Sequence, residues 1–83
     1  MKKNILIVED HELTRFGLKT TFEDVDFIGT IYEASSAEEA LEIFKNNEID
    51  LVIMDLGLPN MNGIEATKAI HTMRKDAKII ILT

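Results

Sequence analysis

The sequence predicts an α/β chain built on a parallel sheet, and three observations carry that reading. Short aliphatic runs, Ile5–Val8, Leu51–Met54 and Ile79–Leu82, alternate with stretches of helical periodicity. Each run is too short for a helix and lacks the polar alternation of a half-solvated strand, which is the pattern of a strand covered on both faces. The first run stops at Glu9-Asp10, the second at Asp55 and the third at Thr83. Strands that alternate with helices imply right-handed crossovers and helices on both faces of the sheet.

Ile5–Val8 is the first strand. Leu13, Phe16, Gly17 and Thr20 to Phe22 then recur near helical spacing, so a helix is expected over residues 12–23, with Asp24-Val25-Asp26 as its end. A second strand is expected over residues 27–34; Gly29 and Thr30 make it irregular and suit it to a sheet edge. Ser35-Ser36-Ala37-Glu38-Glu39 holds two overlapping capping-box patterns, and Ala37, Ala40, Leu41 and Phe44 form one apolar stripe, so a helix runs from there to about Asn47. Leu51–Met54 is the third strand. The segment from Leu56 to Asn62 is loop, punctuated by Gly57 and Pro59, with Asn62 as the next N-cap. Ile64, Thr67, Ile70, His71 and Met73 or Arg74 give a third helix, and Lys78–Leu82 a fourth strand.

Composition narrows the function classes. The chain has 83 residues, one domain at most, and its core is correspondingly small. It has no cysteine, which excludes a disulfide framework, a thiolate metal site and a thiol nucleophile and fits a cytoplasmic location. Its apolar runs are far short of the roughly 20 residues that cross a bilayer, and Met-Lys-Lys-Asn at the start is followed by no cleavage pattern of a secretion signal. A net charge of −6 disfavours contact with a phosphate backbone, so direct nucleic-acid binding by this segment is not expected.

In a doubly wound sheet, ligands sit beyond the carboxyl ends of the strands where strand order reverses. If the first and third strands are neighbours, Glu9, Asp10 and Asp55 converge there. Crowded carboxylates repel one another, and a bound cation relieves them. With oxygen ligands, no histidine pair and no thiolate, Mg²⁺ is the natural ion. A carboxylate beside Mg²⁺ can attack phosphorus, because the ion offsets charge on the phosphoryl oxygens; the product is an aspartyl phosphate.

Val8-Glu9-Asp10, Met54-Asp55-Leu56-Gly57-Leu58-Pro59-Asn60-Met61-Asn62-Gly63 and Ile81-Leu82-Thr83, each at a strand end, resemble the receiver domain of bacterial two-component response regulators. Glu9-Asp10-His11-Glu12-Leu13 with Asn62-Gly63-Ile64-Glu65-Ala66 is similar to the LuxR/NarL-type class, whose receivers are joined to transcription-regulating domains. The resemblance implies a flavodoxin-like three-layer fold, here with four parallel strands in order 2-1-3-4 and about three helices. It implies Asp55 as phosphoacceptor and Asp10 as a direct Mg²⁺ ligand. Glu9 would ligate mainly through water, and the Gly57 backbone carbonyl would complete the set, with Pro59 and Gly63 shaping its loop. Thr83 would be the switch hydroxyl. The partner implied is a sensor histidine kinase, and the domain is a phospho-accepting signalling module rather than an enzyme. The resemblance stops before the family's fifth strand and the lysine at its end; Lys68, Lys75 and Lys78 are not at that place. Residues 1–83 are therefore expected to be a truncated receiver.

Two other readings come from different classes. The fourth strand would lie at an open sheet edge, so the chain could instead be a phosphorylation-incompetent association module that forms a homodimer or accepts a partner's strand. A magnesium-dependent phosphatase with an aspartate nucleophile fits less well, since neither Asp10-His11-Glu12 nor Asp55-Leu56-Gly57 has the Asp-x-Asp form. His11 and His71 carry no assigned role, and Met61 and Met73 read as packing or loop filler.

Overall fold

A computed structural model describes residues 2–58 and 63–82. Strand β1 is Lys3–Val8, helix α1 Glu12–Glu23, strand β2 Ile28–Ala34, helix α2 Ala37–Asn46, strand β3 Leu51–Asp55, helix α3 Gly63–Met73 and strand β4 Lys78–Leu82. These fall within a residue or two of the sequence expectation. The four strands form one sheet in the order β2-β1-β3-β4, all pairs parallel. The fold is the receiver-like three-layer arrangement.

Period-two alternation divides each central strand between two cores. Leu6, Val8, Val52 and Met54 face Ala40, Phe44, Ala66 and Ile70, which places α2 and α3 on one side. Ile5, Ile7 and Ile53 face Leu18, Phe22 and Val25 on the other, under α1. Ile5, Leu6, Ile7, Val8 and Met54 are fully buried, as the uninterrupted aliphatic runs require.

Helix α2 starts as its sequence dictates. Ser36 is the N-cap, its Oγ accepting from the Glu39 N–H at 3.1 Å, while Glu39 Oε1 accepts from the Ser35 N–H at 2.8 Å. Of the two overlapping capping patterns, the one beginning at Ser36 operates. Asn62, the expected N-cap of α3, lies outside the described residues, as do Pro59, Met61 and Thr83.

Helix α1 has the expected bounds, Glu12–Glu23, and an uneven apolar face. Leu13 is 86% and Phe16 65% exposed, and the apolar residues turned to the sheet are Leu18 and Phe22. Of the residues at helical spacing, Phe22 turns to the sheet while Leu13, Phe16, Gly17 and Thr20 are exposed. The inner face carries Arg15 and Lys19, whose stems lie along the sheet while their charged ends reach Glu33 at 3.3 and 3.4 Å.

The irregularity foreseen for β2 lies in its pairing with β1, where the register shifts between Lys3 and Ile5. The residue between them is the cause. Asn4 Oδ1 accepts from the Thr30 N–H at 2.9 Å, its Nδ2 donates to the Glu48 carbonyl at 3.0 Å, and its backbone N–H donates to Asp50 Oδ2 at 2.8 Å. A Cβ on Gly29 would stand 2.8 Å from that Oδ1, so the glycine makes room for the side chain. Among the described residues, no helix is long and apolar enough to cross a membrane.

Candidate functional site

Strand order reverses between β1 and β3, and their pairing runs up to Val8 opposite Met54. The residues that follow, Glu9 and Asp55, therefore meet at the carboxyl edge of the sheet. Asp55 is the last residue of β3 and by alternation lies on the same side as Leu51 and Ile53, the side α1 covers. Ligand atoms of Glu9, Asp10, His11 and Asp55 all lie within 4.8 Å of one another. The predicted carboxylate cluster forms, with an imidazole added.

Glu9 is only 5% exposed and is well supplied with partners. Its backbone N–H donates to the Ala34 carbonyl at 3.0 Å, and its Oε2 accepts from the His11 backbone N–H at 2.9 Å. His11 Nδ1 is also 2.9 Å from Oε2. The hydrogen bond to Glu9, with Asp10 and Asp55 nearby, holds the His11 pKa above its ordinary 6.5.

Asp10 differs. Its Oδ1 is buried and accepts no hydrogen bond among the described residues, although His11 Nδ1 is an ion-pair partner at 3.3 Å. The N-cap of α1 is His11 rather than Asp10, and it makes no side-chain capping bond. Asp10 is thus left facing the pocket instead of capping a helix.

Asp55 Oδ1 accepts from the Gly57 N–H at 3.1 Å, a turn that keeps the Gly57 backbone beside the carboxylate. Gly63 closes the far side. Its N–H donates to the Leu56 carbonyl at 3.2 Å, and α3 begins so near the strand end that a Cβ would fall 2.4 Å from the Asp55 carbonyl oxygen. Of the residues expected in the site, Glu9, Asp10, Asp55 and the Gly57 backbone are brought together; Thr83, next after Leu82, lies outside the described residues.

The response regulator receiver domain family matches residues 5–83. The chain belongs to the receiver-domain family. Response regulator UvrY of Escherichia coli K12 is 42% identical over 80 residues, which cover 96% of this chain and 37% of that protein. The transcriptional regulatory protein LiaR of Bacillus subtilis is 40% identical over 79 residues, covering 95% of this chain and 37% of that protein. Among solved structures, the response regulator TrrA of Thermotoga maritima, in complex with Mg²⁺ and BeF, superposes at a TM-score of 0.91 with 40% identity. That match covers 98% of this chain and 69% of that one. A LuxR-family response regulator from Aurantimonas superposes at 0.90 with 34% identity, covering 98% of this chain and 58% of that one. The receiver spans 37% of the length of the curated relatives named here.

Two site residues of this receiver were missed in the sequence. Arg15 Nη1 donates to the Glu9 carbonyl at 2.8 Å, and its Nε reaches Glu33 Oε1 at 3.3 Å, so it ties the β1–α1 turn to β2. Its position one helical turn after His11 was the available signal, since the Arg15 N–H donates to the His11 carbonyl at 2.9 Å. His11 was noticed but given no role, because adjacency to acids does not reveal which way a ring turns.

The donor set fits a divalent cation. The carboxylates supply hard oxygen ligands, and the buried, unbonded Asp10 Oδ1 is the kind of atom that a cation satisfies.

Proposed function

We propose that residues 1–83 act as a receiver unit in which Asp55 accepts a phosphoryl group from a phosphohistidine of a sensor histidine kinase, in the cytoplasm and with Mg²⁺. The observation that supports this most is the placing of Asp55 at the switch point of the sheet with Glu9 and Asp10 beside it. A carboxylate oxygen of Asp55 forms the new O–P bond as the P–N bond to the donor imidazole breaks; the bonding pair stays on that nitrogen, which takes up a proton. Bound Mg²⁺ supplies positive charge against the phosphoryl oxygens. Asp10 and Asp55 would hold it directly, Glu9 through water, and the Gly57 carbonyl would complete the set. The Gly57 N–H already orients one Asp55 oxygen, which leaves the other for attack. Thr83 follows β4 in sequence and is assigned the switch hydroxyl on its family position. In the longer relatives the receiver is one part of a transcriptional regulator, and the acidic surface of this segment leaves nucleic-acid contact to other parts.

Incubation with acetyl phosphate and Mg²⁺, followed by intact mass, tests the proposal. A one-phosphoryl gain that EDTA and Asp55→Asn both abolish is expected. No gain in the native chain, or an equal gain in the variant, refutes it.

One observation favours a second reading. Ile80 is 50% and Ile81 41% exposed on β4, at the sheet edge. Such an edge accepts another strand, so the chain would associate with a second copy or with a partner's strand whether or not Asp55 reacts. Sedimentation that shows a stable, monodisperse monomer counts against it.

A further inference from the structure

Helix α1 lies over only half of its side of the sheet. It packs on β1 and β2, with Leu18, Phe22 and Val25 turned inward. The register sets Lys78, Ile80 and Leu82 of β4 beside Leu51, Ile53 and Asp55 of β3, so these residues share the side that α1 occupies. Ile80 is 50% exposed, and Leu51 and Leu82 are half-buried. Toward the amino ends of the strands this strip deepens into a groove of about 400 Å³ lined by Ile5, Phe27, Leu51 and Lys78. The helix has an apolar patch of its own on the surface turned away from the sheet, where Leu13 is 86% and Phe16 65% exposed. Thr20, Glu23 and Asp24, all exposed, continue that stripe at helical spacing.

We propose that the chain pairs with a second copy through these two surfaces: the outer face of α1 in each copy lies on the β3–β4 strip of the other, about a two-fold axis parallel to the strands. The two surfaces match in length, chemistry and charge. A helix of 12 residues is about 18 Å long. Strands of 5 residues are about 17 Å long. Helix α1 runs from the carboxyl edge of the sheet back to its amino edge, so the two-fold brings Leu13 and Phe16 onto Leu82 and Ile80 of the other copy, and Glu23 and Asp24 to its Lys78. The side chains of Glu23, Asp24 and Lys78 have no partner among the described residues, so these ion pairs break no existing bond. Two-fold symmetry makes every contact twice, and each copy thus brings two patches toward the roughly 800 Å² per partner of a standard interface. A net charge of −6 on each copy opposes association. Salt screens that repulsion beyond about 8 Å under physiological conditions, whereas the apolar contacts and the pairing of Glu23 with Lys78 act at short range. This mode differs from strand addition. It uses a face of β4, leaves the unpaired edge free, and does not depend on whether Asp55 reacts.

The test is sedimentation velocity of the native chain and four variants across a concentration series. The native chain is expected to pass from monomer to dimer as concentration rises into the millimolar range. Phe16→Lys is expected to raise the dimer dissociation constant by at least about tenfold. Its urea midpoint should stay at the native value, because the side chain it replaces is already exposed. Glu23→Lys and Lys78→Glu should each weaken the dimer, and the two together should restore it. A native chain that remains monomeric at millimolar concentration overturns the pairing. So does a dimer indifferent to Phe16→Lys, which would be held by the β4 edge instead. A double charge reversal that dimerises no more tightly than either single variant overturns the two-fold arrangement. Phosphoryl uptake at Asp55 is read separately, by mass, and none of these outcomes decides it.

Discussion

Substituting Gly63 by alanine sets two effects of opposite sign against each other. Alanine at the start of a helix gains about 1 kcal/mol of helix propensity over glycine. The added Cβ, however, would stand 2.4 Å from the Asp55 carbonyl oxygen and 2.7 Å from Leu56 Cα, both backbone atoms that cannot rotate aside. Carbon contacts begin at about 3.5 Å, so the first turn of α3 has to withdraw by roughly 0.8 Å. Forcing a methyl into packed surroundings costs about 1–3 kcal/mol, and stretching the 3.2 Å Gly63–Leu56 hydrogen bond adds about 0.5–1.5 kcal/mol. The clash wins, with a net loss of about 1–3 kcal/mol. At about 0.05–0.15 kcal/mol per residue, a chain of 83 residues has only about 4–12 kcal/mol to lose from. Urea unfolding followed by circular dichroism should show the midpoint falling by about 1 M or more, for an m-value near 1 kcal/mol/M. Mg²⁺ affinity should weaken with it, because the displaced backbone carries Asp55. A variant as stable as the native chain, with unaltered Mg²⁺ binding, would refute the close approach of α3 to the strand end.

Gly17→Ala should do the opposite. Outside the helix's own backbone, no atom of the described residues lies within 4 Å of its Cβ position in the middle of α1, so only propensity acts, and the same urea experiment should show a gain of about 0.5–1 kcal/mol. Asn4→Ala removes the two side-chain hydrogen bonds that join β1 to β2 and to the approach to β3, and should lose about 1–3 kcal/mol; thermal unfolding within about 1 °C of native would sink that account. The Asn4 backbone N–H keeps its bond to Asp50, so the loss reports the side chain. Arg15→Gln frees the Glu9 carbonyl and leaves Glu33 with Lys19, and should lower Mg²⁺ affinity more than it lowers stability, which parallel calorimetric and urea titrations would resolve. His11, hydrogen-bonded to Glu9, titrates above 6.5 in the cation-free chain. Its protonated form therefore adds stability that is fully present below about pH 6.5 and is lost as pH rises through the folded value. An NMR titration in EDTA should find the His11 midpoint above that of His11 in the unfolded chain, and Glu9→Gln should bring it down.

The strands were legible because burial on both faces leaves no choice of residue, and their order came from the family resemblance. Ile5-Leu6-Ile7-Val8 and Leu51-Val52-Ile53-Met54 can only be central, and a carboxylate that ends such a run has to emerge at the sheet edge. Helix α2 was legible for the same reason, from one stripe and one cap. Helix α1 was legible in its bounds but not in its inner face, which is amphipathic in another sense. Arg15 and Lys19 lay aliphatic stems against the sheet, and a pattern drawn from apolar letters alone selects Leu13 and Phe16 on the opposite side. The cluster of Glu9, Asp10 and Asp55 followed from topology. The turn of His11 toward Glu9 and the reach of Arg15 to the Glu9 carbonyl depend on side-chain torsions, which leave no mark in spacing.

That division has a physical consequence for the site. The two strand ends are fixed by fully buried neighbours, so the separation of β1 and β3 is a property of the core. The groups that meet an incoming ion are fixed instead by short bonds within residues 9–15: His11 to Glu9, Arg15 to the Glu9 carbonyl, and the Arg15 N–H to the His11 carbonyl. Glu9 has its partners before any ion arrives, whereas Asp10 Oδ1 accepts no hydrogen bond among the described residues. An ion therefore gains most from Asp10 and Asp55, and how far Glu9 joins them is set by the bonds it already makes to His11. Changes in the core should then move stability with little change in ion affinity, and changes at Asp10 should do the reverse.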